Sequence, residues 1–419
     1  MMKSSWHGMR FGRFDYAAFS GFMAYSACSV IMPMVLLQAA VTLNFPLTDG
    51  GLAAGGALQI GRSLLMLATM LVCGFLAERW GMRRVLGWSL VFLLVGISLA
   101  ASAPVYWFLF LCLMLCGMGE GVIEGLMTPF VEKLHPQEPG RYLNFTHSFW
   151  SVGIVVAVLV AGALMQAGCS WRLVVGLVGV MCLLPLWLFF GKSTNVPAIE
   201  KVRREKTDVW RHTADILKTS RFWLFFAAIA VAGGGEFGLT FWTASYVQLE
   251  FQFSAWAAGL AAAAFSLGMF LGRTGSGLLV RQERLRHLIL IMSLGGVLVC
   301  TGFQLLGGEV PLFRWRGMVF VLLFLSGICS APFWPSLQSC CACSLPHLDA
   351  TMIFVLLSCS GVPACALFTW LMGAIGDRWG MNAALLTVPA CYLALALLTV
   401  VEWLRYGNQA SQNDGRKHG

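Results

Sequence analysis

Charge is what this sequence has least of. Asp, Glu, Lys and Arg together make up 11% of the residues, under half of the roughly 25% usual in soluble domains. That scarcity excludes a soluble multidomain enzyme. A glycine-rich phosphate loop closing on Lys and Ser or Thr is also missing, which removes an ATP-driven pump. No His, Asp, Glu and Cys set with metal-ligand or triad spacing gathers at one end of the apolar runs, so no metal, no cofactor and no membrane-enzyme activity is expected. The 14 cysteines fall almost entirely inside apolar runs (Cys73, Cys112, Cys116, Cys182, Cys300, Cys359), where a thiol packs as a small apolar group. Cys340, Cys341 and Cys343 read the same way, and no disulfide framework is expected. Strand-like alternation is absent as well: runs 155–167 and 385–398 are almost continuously apolar, unlike the alternating segments of about ten residues in a spanning barrel.

What is present is apolar length. Across 419 residues, 58% are hydrophobic and the mean hydropathy is +0.77. A spanning helix needs about 20 apolar residues. Breaks rich in charge, Pro or Gly then divide the chain into twelve spans, near 15–40, 51–77, 85–101, 107–131, 142–167, 171–190, 222–247, 255–280, 287–307, 317–344, 350–375 and 382–404. The first apolar run has no small-residue cleavage site behind it and is expected to stay as a span. The fold class is therefore an all-α polytopic membrane protein of twelve transmembrane helices in two six-helix pseudo-repeats.

The net charge of +9 is positional rather than a nucleic-acid signal. With both termini on one side, that side collects 22 Lys and Arg against four opposite (Arg172, Arg314, Arg316, Arg378). Basic residues near spans stay in the cytoplasm, so both termini are expected there, in a plasma (inner) membrane. Segment 191–221 carries both charge signs, includes a short amphipathic helix expected over 208–217, and reads as a linker between bundles 1–190 and 222–404, with 405–419 as a cytoplasmic tail. At an offset of 210, Ala17 and Ala18 meet Ala227 and Ala228, while Gly117 and Pro136 meet Gly327 and Pro346. Parallel six-helix repeats joined by a basic loop imply a substrate site near the midplane between halves that rock.

Ionisable groups inside spans are the candidate site, since inserting one costs about 2.5–3.5 kcal/mol. Glu120 and Glu124 lie one turn apart on one helical face, and Glu124 is the candidate coupling or substrate-binding acid. Arg62 lies at about the depth of Glu120; a structural ion pair between those two, leaving Glu124 free, is the alternative to a functional role for Glu120, and the sequence leaves open whether Arg62 takes Glu120 or Glu124. Asn144 and His147 share a face of the fifth span, where His147 binds a hydroxyl, relays a proton or packs helices. In the seventh span, Gly233, Gly234 and Gly235 predict a discontinuity beside Glu236, and Trp242 is expected to line the site while Tyr246 belongs to an interfacial belt. Pro332 and Pro335 predict a kink in the tenth span, with Trp334 and Gln338 on one face, lining the site or packing. Arg273 is expected to snorkel to the interface or latch to a neighbouring helix, not to bind substrate.

The segment Gly74-Phe75-Leu76-Ala77-Glu78-Arg79-Trp80-Gly81-Met82-Arg83-Arg84 resembles the signature loop of the major facilitator superfamily, with Glu78 for the usual Asp and Met82 for a frequent Arg or Lys. By its chemistry it is a gate latch: the glycines Gly74 and Gly81 allow a tight turn and close approach, and Glu78, Arg79, Arg83 and Arg84 supply charge contacts made when the halves meet. Three further blocks resemble the fucose permease group of sugar:proton symporters: Gly117 to Pro129, with Thr128 in place of Asn; Leu143 to Phe149; and Glu236 followed by Trp242. The resemblance implies that Glu124 is the coupling acid, that His147 contacts the sugar and that a proton drives import. Such symporters also carry an acid within the first span, whereas here Asp15 lies at its start and Tyr25 and Ser26 stand at mid-depth, so a uniporter or coupling through Glu236 is the other reading. The expected partners are a small-molecule solute, a coupling proton and the lipid bilayer, with no nucleic acid, for a chain working as a monomer. The competing function is a drug or amphiphile exporter of the same fold.

Overall fold

The protein is described by a computed structural model covering residues 10–135, 139–191, 213–280, 282–305, 317–348 and 350–415. Among these there is no strand. The spans are α1 (Arg13–Thr42), α2 (Leu52–Trp80), α3 (Met82–Ala101), α4 (Tyr106–Leu134), α5 (Pro139–Gln166) and α6 (Trp171–Phe190). A 3-10 turn, Val180–Cys182, interrupts α6. The second six are α7 (Ser220–Phe251), α8 (Ala255–Leu279), α9 (Leu285–Thr301), α10 (Met318–Ser344), α11 (Ala350–Leu385) and α12 (Thr387–Gly415). Eleven are long and apolar enough to cross a membrane, and α9 is a shorter apolar helix of 17 residues. α11 breaks at Gly380, whose φ of 83° and ψ of 164° are not helical, so residues 381–385 lead into α12.

The expected spans match these helices closely because each is an apolar run long enough to cross a bilayer and closed by polar or glycine residues. One expectation is corrected. α7 runs unbroken from Ser220 to Phe251, with its three glycines inside. They serve close packing: a Cβ on Gly233 would lie 3.0 Å from the Cys365 sulfur and 3.2 Å from the Trp334 ring, while Gly234 faces the Phe368 ring and Gly235 the Tyr392 ring. The helix of α12 continues to Gly415, so much of the segment read as a tail is helical. The expected linker falls mostly on residues outside the described ones; of its short helix, residues 213–217 are helical.

Helix ends that carry most of the basic residues lie on one face, here the basic face: the start of α1, the α2–α3 turn, the end of α6 and the start of α7. Arg13 donates to the Leu188 and Trp187 carbonyls at 2.8 Å, and Arg83 to the Phe189 carbonyl at 2.6 Å and the Gly191 carbonyl at 2.8 Å. These guanidiniums satisfy the orphan carbonyls at the end of α6, where the helix dipole favours cations. Gly81, at φ 84°, makes the α2–α3 turn that a side chain would strain.

Within each half, small residues set helix spacing. α4 lies against α2 because Gly117 faces the Arg62 carbonyl and Gly121 the Met66 carbonyl. In the second half Gly327 of α10 faces the Phe265 carbonyl of α8 in the same way. Between halves, α2 packs on α11 and α5 on α8. A Cβ on Gly56 would lie 2.7 Å from the Trp370 Cα, and one on Gly162 would lie 3.2 Å from the Gly259 Cα. Those approaches cluster at the face opposite the basic one. On the basic face Gly74, Arg79 and Trp80 are exposed, and a Cβ on Gly74 meets nothing within 4 Å. The halves thus close at one face and part at the other.

Gly117→Val drives two methyl groups against the backbone of α2 and is expected to destabilise by about 2 kcal/mol or more. Gly74→Val meets open space and leaves stability unchanged. Thermal melting of the purified protein in detergent separates the two; equal melting points would contradict this packing.

Candidate functional site

Charged side chains buried in the spans come first, because a guanidinium or carboxylate there needs its partner in the protein. Arg62 of α2 and Glu120 of α4 form a two-pronged pair: Arg62 Nε donates to Glu120 Oε2 at 2.6 Å and Nη2 donates to Oε1. The third prong, Nη1, donates to the Ser29 carbonyl of α1 at 3.1 Å. Arg62 is 2% exposed and Glu120 1%. The open choice of partner for Arg62 is thereby settled as Glu120, and the pair pins α1, α2 and α4 together.

One turn closer to the basic face, Glu124 is half-buried. The Tyr25 side chain of α1 lies within its hydrogen-bonding reach, and Arg273 of the other half is near enough to act on its charge. Tyr25 stands edge-on to Trp150, with ring centroids 4.3 Å apart. His147 of α5 is exposed although it lies in a span. Its Nε2 is 3.0 Å from Thr128 Oγ1, its ring 4.6 Å from that of Phe22, and it too feels the charge of Arg273. Thr128, standing where the sugar symporter pattern has Asn, therefore ties α4 to α5 through His147. The Asn144 and Glu78 side chains lie outside the described set.

Arg273 is the main addition to the sequence reading. Of the two expectations for it, the neighbouring-helix latch is the one found: Nη2 donates to Glu236 Oε1 of α7 at 2.9 Å. Its Nε donates to the Ala331 carbonyl of α10 at 3.3 Å. The helical partner of that carbonyl would be the N–H of residue 335, but Pro335 has none. Where the prolines predict a kink, the α10 helix is interrupted between Ser330 and Phe333, and the interruption hands a free acceptor to the arginine. Arg273 and Glu236 keep 31% and 17% of their side-chain surface exposed, unlike the sealed Arg62 pair. The missed signal was a repeat: Gly61-Arg62-Ser63 in α2 recurs as Gly272-Arg273-Thr274 in α8.

Arg273 of the second half, held by Glu236, thus acts electrostatically on Glu124 and His147 of the first, and all four side chains keep some exposure on the basic-face side of the Arg62 pair. Trp334 is half-buried, its ring slotted against Gly361 and Gly233 of α11 and α7. Gln338 Nε2 reaches Ser358 Oγ at 3.5 Å. Trp242 lies elsewhere: it is fully buried and its indole N–H donates to the Thr369 carbonyl at 2.9 Å. Tyr246 donates to Asn382 Oδ1 at 3.0 Å near the opposite face. Deeper than the charged groups, Val30, Pro33, Met34, Leu239 and Phe265 line a narrow, largely apolar crevice between the halves. Among the described residues no three metal-ligating side chains cluster. At the basic face, Asp15 pairs with His135 at 2.6 Å, and Glu402 with Arg221 at 2.7 Å and Arg286 at 3.2 Å.

Twelve helices in two bundles, parted at one face around a charged cleft, define a multi-pass membrane transporter. The chain belongs to the Major Facilitator Superfamily, whose family model matches residues 17–347. A protein of Haemophilus influenzae described as a metabolite transport protein is 24% identical over 274 residues, 62% of this chain and 66% of that relative. Multidrug resistance protein MdtH of Photorhabdus laumondii is 23% identical over 197 residues, 47% of this chain and 46% of its own. The chain thus aligns with less than two thirds of either relative. Among solved structures, the D-xylose-proton symporter superimposes with a TM-score of 0.73 at 14% identity, covering 93% of this chain and 97% of that one. The Escherichia coli fucose:proton symporter gives 0.62 at 16% identity, covering 93% and 98%. At such identities these likenesses show the fold.

Cutting one partner from the Arg62–Glu120 pair leaves a buried charge, which typically costs about 3–5 kcal/mol. Arg62→Met and Glu120→Gln are each expected to lose most folded protein, and Arg62→Met with Glu120→Gln together to recover much of it. Titration with denaturing detergent reads all three; single variants as stable as the native chain would refute the structural role.

Proposed function

We propose that this protein is a secondary active transporter that carries a small polar solute, a sugar, across the plasma membrane by alternating access, coupled to protons through Glu124. The observation that carries the reading is the Arg273–Glu236 pair of the second half, partly exposed and within electrostatic reach of the half-buried Glu124 of the first. An acid that lacks a fixed ion pair within its own half is free to take a proton when the halves part and to face Arg273 when they close. Units 1–190 and 222–404 rock against each other, joined by linker 191–221. Their basic face, with both termini and tail 405–419, is cytoplasmic, as the Lys and Arg bias requires.

Asn144 and His147 contact hydroxyls, Trp334 offers an aromatic face to the apolar side of a sugar ring, and Gln338 and Glu236 complete the polar wall. Glu120 and Trp242 act at a distance, one through the Arg62 pair and the other by packing α7 on α11. The loop bearing Gly74, Glu78, Arg79, Gly81, Arg83 and Arg84 latches the cytoplasmic gate when the cleft closes there. The sugar symporters among the structural neighbours, and an exposed polar layer in the cleft, support this reading. The MdtH relatives and the apolar crevice beyond the charged layer favour the second reading, export of a drug or amphiphile.

Uptake of labelled monosaccharides into proteoliposomes, with and without an inward proton gradient, tests both. Gradient-driven accumulation is expected for the native chain, and Glu124→Gln is expected to abolish accumulation while counterflow persists. No movement of any sugar under any gradient would overturn the sugar assignment and put the exporter reading first.

A further inference from the structure

The closed face of the molecule holds a contact that neither the transport reading nor the family assignment uses. Asp377, in the last turn of α11 before the break at Gly380, reaches across the boundary between the halves to the start of α2. One carboxylate oxygen accepts the Leu52 N–H and the other the Ala53 N–H, both at 2.8 Å. Those are first-turn amides, which have no partner inside their own helix. They sit at its positive dipole end, where a carboxylate is favoured, and charge-assisted bonds of this kind are about twice as strong as neutral ones. Around them the contact is apolar and close: Gly56 lies against the Thr369 and Trp370 backbone, Gly373 against Leu52, and Gly376 against the Leu52 side chain.

The sequence repeats this device at the other face. Asp377-Arg378-Trp379-Gly380-Met381 ends α11 as Glu78-Arg79-Trp80-Gly81-Met82 ends α2. Both glycines hold the same positive φ, 83° and 84°. α2 and α11 run antiparallel across the boundary, so the end of each faces the start of the other, at opposite faces of the membrane. In this state the α11 copy is engaged, with Gly373 against the Leu52 backbone, while a Cβ on Gly74, which stands at the same place in the α2 copy, meets nothing within 4 Å.

We propose that Asp377 is the latch of the gate opposite the basic face: its two bonds to the start of α2 hold that gate shut, and releasing them shifts the molecule toward the state open on that side. The two acid-Arg-Trp-Gly-Met segments then compete through the same pair of helices, and the resting balance between states is the difference between them.

Hydrogen exchange of the purified full-length protein in detergent micelles, read by mass spectrometry, tests this. In Asp377→Asn, loss of charge-assisted bonds is expected to shift the balance about tenfold or more. Exchange then rises over residues 52–56, 158–162, 255–259 and 369–376, and falls at the basic-face ends of α4, α5, α10 and α11. Arg378→Gln, which alters the neighbouring exposed charge, keeps the native pattern. The second half of the signature decides the matter. A folded Asp377→Asn protein with faster exchange confined to residues 52 and 53, or with no change, overturns the latch, since a merely local cap would not protect the other face. Should Asp377→Asn not yield folded protein, Asp377→Ser, which keeps one acceptor and removes the charge, is read by the same criterion.

Discussion

A charge carried into a bilayer must find its counter-charge within the protein, and the arrangement of this molecule follows from where those partners were placed. Arg62 and Glu120 bind α2 to α4, Arg273 and Glu236 bind α8 to α7, and Glu402 gathers Arg221 of α7 and Arg286 of α9. Asp15 reaches His135 at the end of α4. Each of these pairs closes within one half. Parting the two halves therefore breaks none of these pairs, and the loss of a partner from a buried ion would cost several kcal/mol.

The same device appears in both halves with different outcomes. Gly-Arg followed by Ser or Thr occurs in α2 and in α8, and in each half a glycine of the facing helix, Gly117 or Gly327, lets the backbones touch. Arg62 points into the contact with α4 and is sealed by Glu120 and the Ser29 carbonyl. Arg273 instead takes an acid on α7, the helix bordering the cleft, and a carbonyl freed by Pro335. One arginine became a rivet. Its counterpart stays partly open to the cleft, where its field reaches Glu124 and His147.

Span positions were legible in the sequence because apolar length is a local property, and so was the interruption of α10, since proline removes a donor wherever it stands. Arg62 could be assigned an acid but not a particular one, because Glu120 and Glu124 share a face and only the depth of α2 against α4 separates them. The Gly233–Gly235 run misled. Helix propensity argued for a break, yet what those glycines meet, Trp334, Phe368 and Tyr392, comes from α10, α11 and α12. Propensity does not contain such neighbours. Arg273 could be assigned a latch but not its partners, since these lie on helices distant in sequence and one of them is free only because Pro335 cannot donate. Asp377 was passed over because its partners are backbone amides, which leave no residue type to recognise.

Closure between the halves has the physical character that a reversible gate needs. Its interior consists of glycine against backbone, Gly56 on Trp370 and Gly162 on Gly259, contacts that are individually weak and leave no unsatisfied group when they separate. Its polar element lies at the edge, beside exposed Arg378 and Trp379, where water can take over the Leu52 and Ala53 amides and the Asp377 carboxylate. A bond exchanged for water costs about 1.5–3 kcal/mol when one partner is charged, enough to bias two states and too little to freeze one. Strong pairs fix each half internally and weak ones join the halves, so that motion is directed to the boundary across which Arg273 acts on Glu124.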